Sequence, residues 1–121
     1  MDNKDLFIID NFIDDREFRN YVSSVLSNRG FKKISIDDVT LSDEDAINNN
    51  DMKAELNGVT YTIQTFLNTT ITQKEIDEVE ADMDYENVSY AILVTNTNVD
   101  KDIKQYAENI GIEIWDREIF L

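Results

Sequence analysis

Cysteine and histidine are both absent from the 121-residue chain. Without cysteine there is neither a disulfide framework nor a thiolate metal site. Without histidine the usual general base and the commonest zinc ligand are missing, which excludes a histidine-containing catalytic triad and any zincin motif. Proline is absent too, and the only glycines, Gly30, Gly58 and Gly111, stand where chain punctuation is expected. There is no glycine-rich phosphate loop. No apolar run approaches the ~20 residues needed to span a bilayer. The opening MDNKDLFIIDNF lacks a basic stretch followed by a long apolar core. It is therefore not read as a secretory signal, and a cytoplasmic location is expected.

Positive charge is scarce. Eleven basic side chains face 26 acidic ones, for a formal net charge of −15. Phosphate binding draws on lysine and arginine, so this balance repels nucleic acid and anionic membrane at long range. No basic patch with interleaved aromatics is present to support single-stranded nucleic-acid binding. The acidity either maintains solubility or suits a cationic protein partner. Apolar residues make up 41% of the chain, enough for a folded core. The length fits a single domain spanning residues 1–121.

Local signals divide the chain into elements. Asp14 and Glu17 stand three apart as in a capping box, with Ile13 and Phe18 flanking as a hydrophobic staple. Phe18, Tyr21, Val22, Val25 and Leu26 recur at helical spacing, and Gly30 supplies a left-handed stop, predicting a helix near 15–29. A first strand is read over 31–36, with Phe31, Ile34 and Ile36 inward. An acidic loop follows, including Ser42 to Asp45 and Asn48 to Asn50; it lacks the glycine and ligand spacing of a calcium loop. In a second strand near 51–57, Met52, Ala54 and Leu56 alternate with Asp51, Lys53 and Glu55. Asn57-Gly58 is the preferred two-residue hairpin turn. The third strand, Val59 to Leu67, puts Tyr61, Ile63 and Thr65 on one face and Thr62, Gln64 and Phe66 on the other.

A second capping box, Thr72 with Glu75, opens a helix whose apolar stripe is Ile76, Val79 and Met83. Its remaining surface carries Asp77, Glu78, Glu80, Asp82, Asp84 and Glu86. Such a run is ordinarily a solvated face, and it could also mimic a phosphate backbone toward a basic partner. Val88 to Thr95 contains the continuous run Tyr90 to Val94, expected of a strand covered on both faces. A third helix over about 100–110 buries Ile103, Tyr106, Ala107 and Ile110; Gly111 ends it, and Ile112 to Trp115 form a fifth strand. The tail ending Ile119-Phe120-Leu121 is expected to pack. Short crossovers make strands three, four and five parallel. The predicted fold is α/β, a mixed sheet flanked by helices on both faces.

This order resembles the αβββαβ core of the restriction-endonuclease-like, PD-(D/E)xK, fold, extended here by a further αβ unit. The details are most similar to its Mrr-type branch, whose members cut DNA. The likeness runs from about residue 14 to 121, through the opening helix before GFKKISI, the aspartate heading the second strand, the hairpin to VTYTIQTF, the ITQKEIDEVE helix and the closing YAILVTNTNVDKDIKQYAENIGIEIWD. In that family an acidic residue opens strand two, and a Glu or Gln followed two residues later by Lys lies on strand three. Residues two apart on a strand share a face, so metal ligand and lysine stand together. Carboxylates hold Mg²⁺ at the scissile phosphate and the lysine orients water and stabilises developing charge.

By this resemblance Asp51 takes the acidic, metal-binding position and Gln64 the Glu/Gln position. Phe66 stands where the lysine belongs. Arg19 stands after Phe18, where the family often has a glutamate. Lys53, two residues after Asp51, shares its face and is the candidate for a relocated lysine; otherwise it pairs with Asp51 or Glu55 at under ~1 kcal/mol. The reading that follows is a catalytically degenerate nuclease-fold protein that needs no cofactor. It binds a macromolecular partner, expected to be a basic protein, as an inhibitor, immunity or accessory factor. Its candidate contact residues are Phe66, Asp77, Glu78, Glu80 and Asp82. The alternative is an active Mg²⁺-dependent deoxyribonuclease using Asp51, Gln64 and Lys53. A third reading is an oligomerising domain with Phe66, Trp115 and Phe120 at an interface.

Overall fold

The computed structural model describes residues 15–36 and 52–120. Its elements are α1 (Asp15–Asn28), β1 (Lys32–Ile36), β2 (Met52–Leu56), β3 (Val59–Phe66), α2 (Gln73–Glu86), β4 (Tyr90–Thr95), α3 (Lys101–Glu108) and β5 (Ile112–Trp115), with a closing 3₁₀ turn, Arg117–Phe120. The five strands form one sheet in the order β1-β2-β3-β4-β5. β1, β2 and β3 are antiparallel neighbours, whereas β3, β4 and β5 run parallel. The mixed sheet with helices on both faces is therefore the architecture expected from the strand and helix signals. Among the described residues no helix is long and apolar enough to cross a membrane.

The sheet separates two cores. On one face α1 buries Phe18, Val22 and Leu26 against Met52, Ala54, Ile63, Ile92, Val94 and Trp115. Full burial of each large apolar side chain contributes roughly 1.5–3 kcal/mol. On the other face α2 and α3 pack Ile76, Val79, Met83 and Ala107 onto Ala91, Leu93, Ile112 and Ile114. The period-two alternation of β2 and β3 thus sends Met52, Ala54, Tyr61 and Ile63 toward α1. Lys53, Gln64 and Phe66 go to the α2 side by the same alternation.

The punctuation residues do the work that their chemistry allows. Asn57 (φ 53°) and Gly58 (φ 83°) both have positive φ, as a type I′ hairpin turn requires. Gly111 (φ 95°) combines a left-handed backbone with a tight fit: a Cβ there would lie 2.8 Å from the Ser89 carbonyl oxygen. At the head of α2 the Glu75 carboxylate accepts from the Thr72 N–H at 2.8 Å and from its hydroxyl at 2.7 Å. Ile71 and Ile76, which flank this cap as a hydrophobic staple does, are both buried. Asp14 and Ile13, the first capping signals, lie outside the described residues, as does the loop from Ser42 to Asn50.

β1 departs from simple alternation. Phe31 and Ile34 have opposite parity, yet both reach the α1-side core. The register with β2 breaks between Lys32 and Ser35, and Lys33 has φ 54°. The bulge inserts the extra residue that lets both side chains face the same way. The continuous apolar run of β4 is likewise not covered throughout: Ala91 to Val94 are buried, but Tyr90 is 46% exposed.

The carboxyl ends of β3 and β4 are sewn together by polar side chains. The Asn68 N–H donates to the Asn96 side-chain carbonyl at 2.7 Å, and the Asn96 amide donates back to the Asn68 side chain at 2.9 Å. Thr95 and Thr97 hydroxyls both donate to the Thr69 carbonyl, at 2.9 and 3.1 Å.

Candidate functional site

Of the positions singled out from the sequence, Lys53, Gln64 and Phe66 fall on the side of the sheet covered by α2. Asp51 lies outside the described residues. β2 begins at Met52, and Lys53 sits opposite Thr62 of β3. Gln64 follows Thr62 by two residues, so its side chain leaves the same face as Lys53 and diagonal to it. The structure therefore brings Lys53 and Gln64 to one side of adjacent strands.

Each of the two meets a carboxylate of α2. The Gln64 amide donates to Asp82 Oδ2 at 3.4 Å. Lys53 Nζ lies 3.3 Å from Glu86 Oε2, with its side chain 38% exposed. Asp82 and Glu86 are one helical turn apart, and i, i+4 residues share a helix face. Of the two partners expected for Lys53, Asp51 lies outside the described residues and Glu55 is engaged elsewhere. Glu55 pairs instead with Lys33 at 3.3 Å, across the β1–β2 register. The physical reason is reach: α2 packs over β4, and its carboxylates extend from there to Gln64 of β3 and Lys53 of β2.

Phe66 continues the same face. It is half-buried and packs against the core cluster of Ile71, Ile76, Val79 and Met83. An apolar ring therefore stands at the position where the resemblance leads one to expect a lysine. Trp115, one of the residues considered for an interface, is only 3% exposed. It packs edge-on against Phe31 at 6.4 Å, with the Arg29 guanidinium 4.8 Å over its ring. Of Phe120, only the backbone within the closing turn is described. Arg19 is half-buried on α1, beside the fully buried Phe18.

The acidic residues of α2 do not form one continuous face. Asp77 accepts the Tyr106 hydroxyl of α3 at 2.7 Å, and that hydrogen bond is the main reason the Tyr106 pKa lies above its usual value. Asp82 and Glu86 turn the other way, to β3 and β2, as given above. Glu78 and Asp84 are exposed, and Glu80 is half-buried.

A second polar cluster was not singled out from the sequence. Asp116, at the end of β5, is fully buried. One of its oxygens lies 2.8 Å from Lys104 Nζ and accepts the Val99 N–H at 3.1 Å; the other accepts the Glu118 N–H at 3.1 Å. Glu118 also contacts Lys104, at 3.2 Å. The Lys104 pKa is raised, chiefly by its hydrogen bond to Asp116, against a smaller opposing effect of burial. The spacing that could have signalled this cluster was visible: a charged residue immediately after a buried strand must find partners.

Among the described residues no group of three acidic side chains converges. Gln64 spends its amide on Asp82, and the nearby carboxylates face an amide and an ammonium.

With that geometry in view, the comparisons with known proteins are clear on class. The family model for the Mrr catalytic domain, described as a restriction endonuclease, matches residues 11–121. The chain belongs to the Mrr-type restriction endonuclease family. It is also similar in structure to AF1548, a crystallised protein of unknown function, with a TM-score of 0.59 at 22% sequence identity. The match covers 79% of this chain and 54% of that one, so the chain spans about half of that protein's length. At that identity the likeness speaks to the fold. No curated protein matches the sequence.

Proposed function

We propose that this chain is a catalytically degenerate member of its family that acts by binding a basic macromolecular partner, most simply a protein. The observation that carries the reading is Phe66. A working site of this family needs a cation two residues after Gln64, to stabilise charge that develops on the phosphate. Phe66 supplies no charge, and its ring is tied into the α2 core. The Gln64–Asp82 contact adds to this, since the neighbouring carboxylate raises negative potential where a phosphate would have to come. A net charge of −15 opposes association with DNA and favours approach of a cationic protein.

The test is plasmid cleavage in Mg²⁺ and in Mn²⁺, with Asp51→Ala run alongside. The expected result is no cleavage, or equal trace cleavage by both proteins. Cleavage that vanishes in Asp51→Ala would overturn the reading.

One observation favours the alternative, an active nuclease with a relocated lysine. Lys53 does reach the face that carries Gln64, and its pairing with Glu86 is exposed enough to exchange. Under that alternative Lys53→Ala abolishes Mg²⁺-dependent cleavage; full activity in Lys53→Ala would exclude the mechanism.

A further inference from the structure

The two edge strands of the sheet, β1 and β5, are built differently. β1 is bulged at Lys33, and Lys32 and Lys33 stand exposed on it. Bulges and edge lysines are devices that keep an edge from pairing with a further strand. β5 carries neither. Its register with β4 is continuous from Ala91–Ile112 to Val94–Trp115. The Ala91 N–H donates to the Gly111 carbonyl at 3.2 Å. In a parallel ladder the backbone groups of alternate residues point opposite ways. Gly111 and Glu113 thus face β4, and the N–H and C=O groups of Ile112 and Ile114 point outward. Among the described residues β5 pairs with β4 alone.

A cavity of about 470 Å³ runs along this strand, lined by Gly111 to Ile114, by Lys104 and Glu108 of α3, and by Tyr61 and Tyr90. The two tyrosine rings pack against each other with centroids 5.7 Å apart, and Tyr90 is half-exposed. Charge in the cavity is one-sided. Lys104 is already offset by Asp116 and Glu118. Glu108 and Glu113 are exposed, and among the described residues no cation pairs with either. An open strand edge, two uncompensated carboxylates and an accessible tyrosine ring are complementary to an extended segment carrying cationic side chains.

We propose that the outer edge of β5 and its cavity receive an extended lysine- or arginine-bearing segment of a partner protein, which adds to the sheet as a further strand. Backbone pairing engages Ile112 and Ile114, and cationic side chains sit among Glu108, Glu113 and Tyr90. This rests on the partner-binding reading above and gives it a location: the α2 carboxylates that contact Gln64, Lys53 and Tyr106 contribute field, while contact is made at β5.

The probe is a fluorescent peptide of about eight residues, a typical strand length, alternating lysine and valine, beside its glutamate-for-lysine counterpart. Anisotropy titrations would show binding of the lysine peptide and none of the glutamate peptide. Glu108→Lys with Glu113→Lys would weaken binding at least about tenfold, and Tyr90→Ala about threefold. Glu78→Lys with Asp84→Lys, an equal charge change on α2, would alter it less than about twofold. Urea midpoints check that each variant is folded. Amide exchange at Ile112 and Ile114 would slow in the complex. Equal weakening by the α2 pair, or unchanged exchange at those amides, would overturn the proposal. So would a dimer in sedimentation whose β5 amides are already protected. Cleavage sensitive to Asp51→Ala would instead overturn the functional reading, and the peptide data would stand apart from it.

Discussion

Two lysines of this chain meet carboxylates at similar distances, Lys104 with Asp116 at 2.8 Å and Lys53 with Glu86 at 3.3 Å, yet they belong to different kinds of structure. Asp116 is fully buried and shared by a lysine and two backbone N–H groups, so it ties α3, the segment before it and the closing turn to the end of β5. The Lys53 pair lies at the surface between β2 and α2. Screening and side-chain entropy leave such a pair little net value. The difference teaches where the fold is fixed and where it is replaceable. The region of the candidate site is bound by replaceable contacts, while the parallel end of the sheet is fixed by a buried carboxylate.

The contrast can be broken at its strong end first. Asp116→Ala leaves two backbone N–H groups without acceptors and is expected to cost about 2–4 kcal/mol in urea unfolding. A loss under ~1 kcal/mol would erase the distinction. Next, Phe66→Lys restores the family's cation but places it against the α2 core. It is expected to cost about 1–3 kcal/mol, without producing cleavage of plasmid DNA. Third, alkaline pH should weaken the strong end. The Lys104 pKa is raised in the folded state, so its contribution is complete below the unfolded value of about 10.4 and is lost as pH rises through the folded one. Urea midpoints of the native chain should fall more steeply above about pH 10 than those of Lys104→Met, the difference isolating this one group. Smallest of all, Lys53→Ala and Glu86→Gln should each change stability by under ~1 kcal/mol, and by less in high salt.

Much of this organisation was legible in local chemistry. Thr72 with Glu75, Asn57-Gly58 and the alternation of β2 and β3 are short-range signals, and each sits where its spacing places it. What was not legible depends on elements meeting in space. The partner of Lys53 could be read only as a sequence neighbour, because nothing in the chain announces that Glu86 will lie above it. Tyr90 looks buried within its apolar run, and is half-exposed at the end where β4 begins. The bulge at Lys33 was present as a conflict of parity between Phe31 and Ile34, which alternation alone cannot resolve. For the candidate site, the shared face of Lys53, Gln64 and Phe66 followed from period two. The carboxylates of Asp82 and Glu86 that meet them did not. Asp51, on which metal binding would turn, lies outside the described residues.

The Asn68–Asn96 amide pair carries a consequence of a different sort, one of timing. β2 and β3 are joined by a two-residue turn, and hairpins of that kind close in roughly 1–10 μs. β4 can join β3 only after α2 has carried the chain back across the sheet, and such non-local pairing is the slow part of folding. Asn68 and Asn96 stand at the ends of those two strands, 28 residues apart, and their reciprocal bonds form only once the strands are in register. They are expected to act as a latch, closed after the rate-limiting step and opened early in unfolding. Asn96→Ala should therefore speed unfolding while leaving the folding rate nearly unchanged, a low φ-value that stopped-flow measurement in urea would read directly.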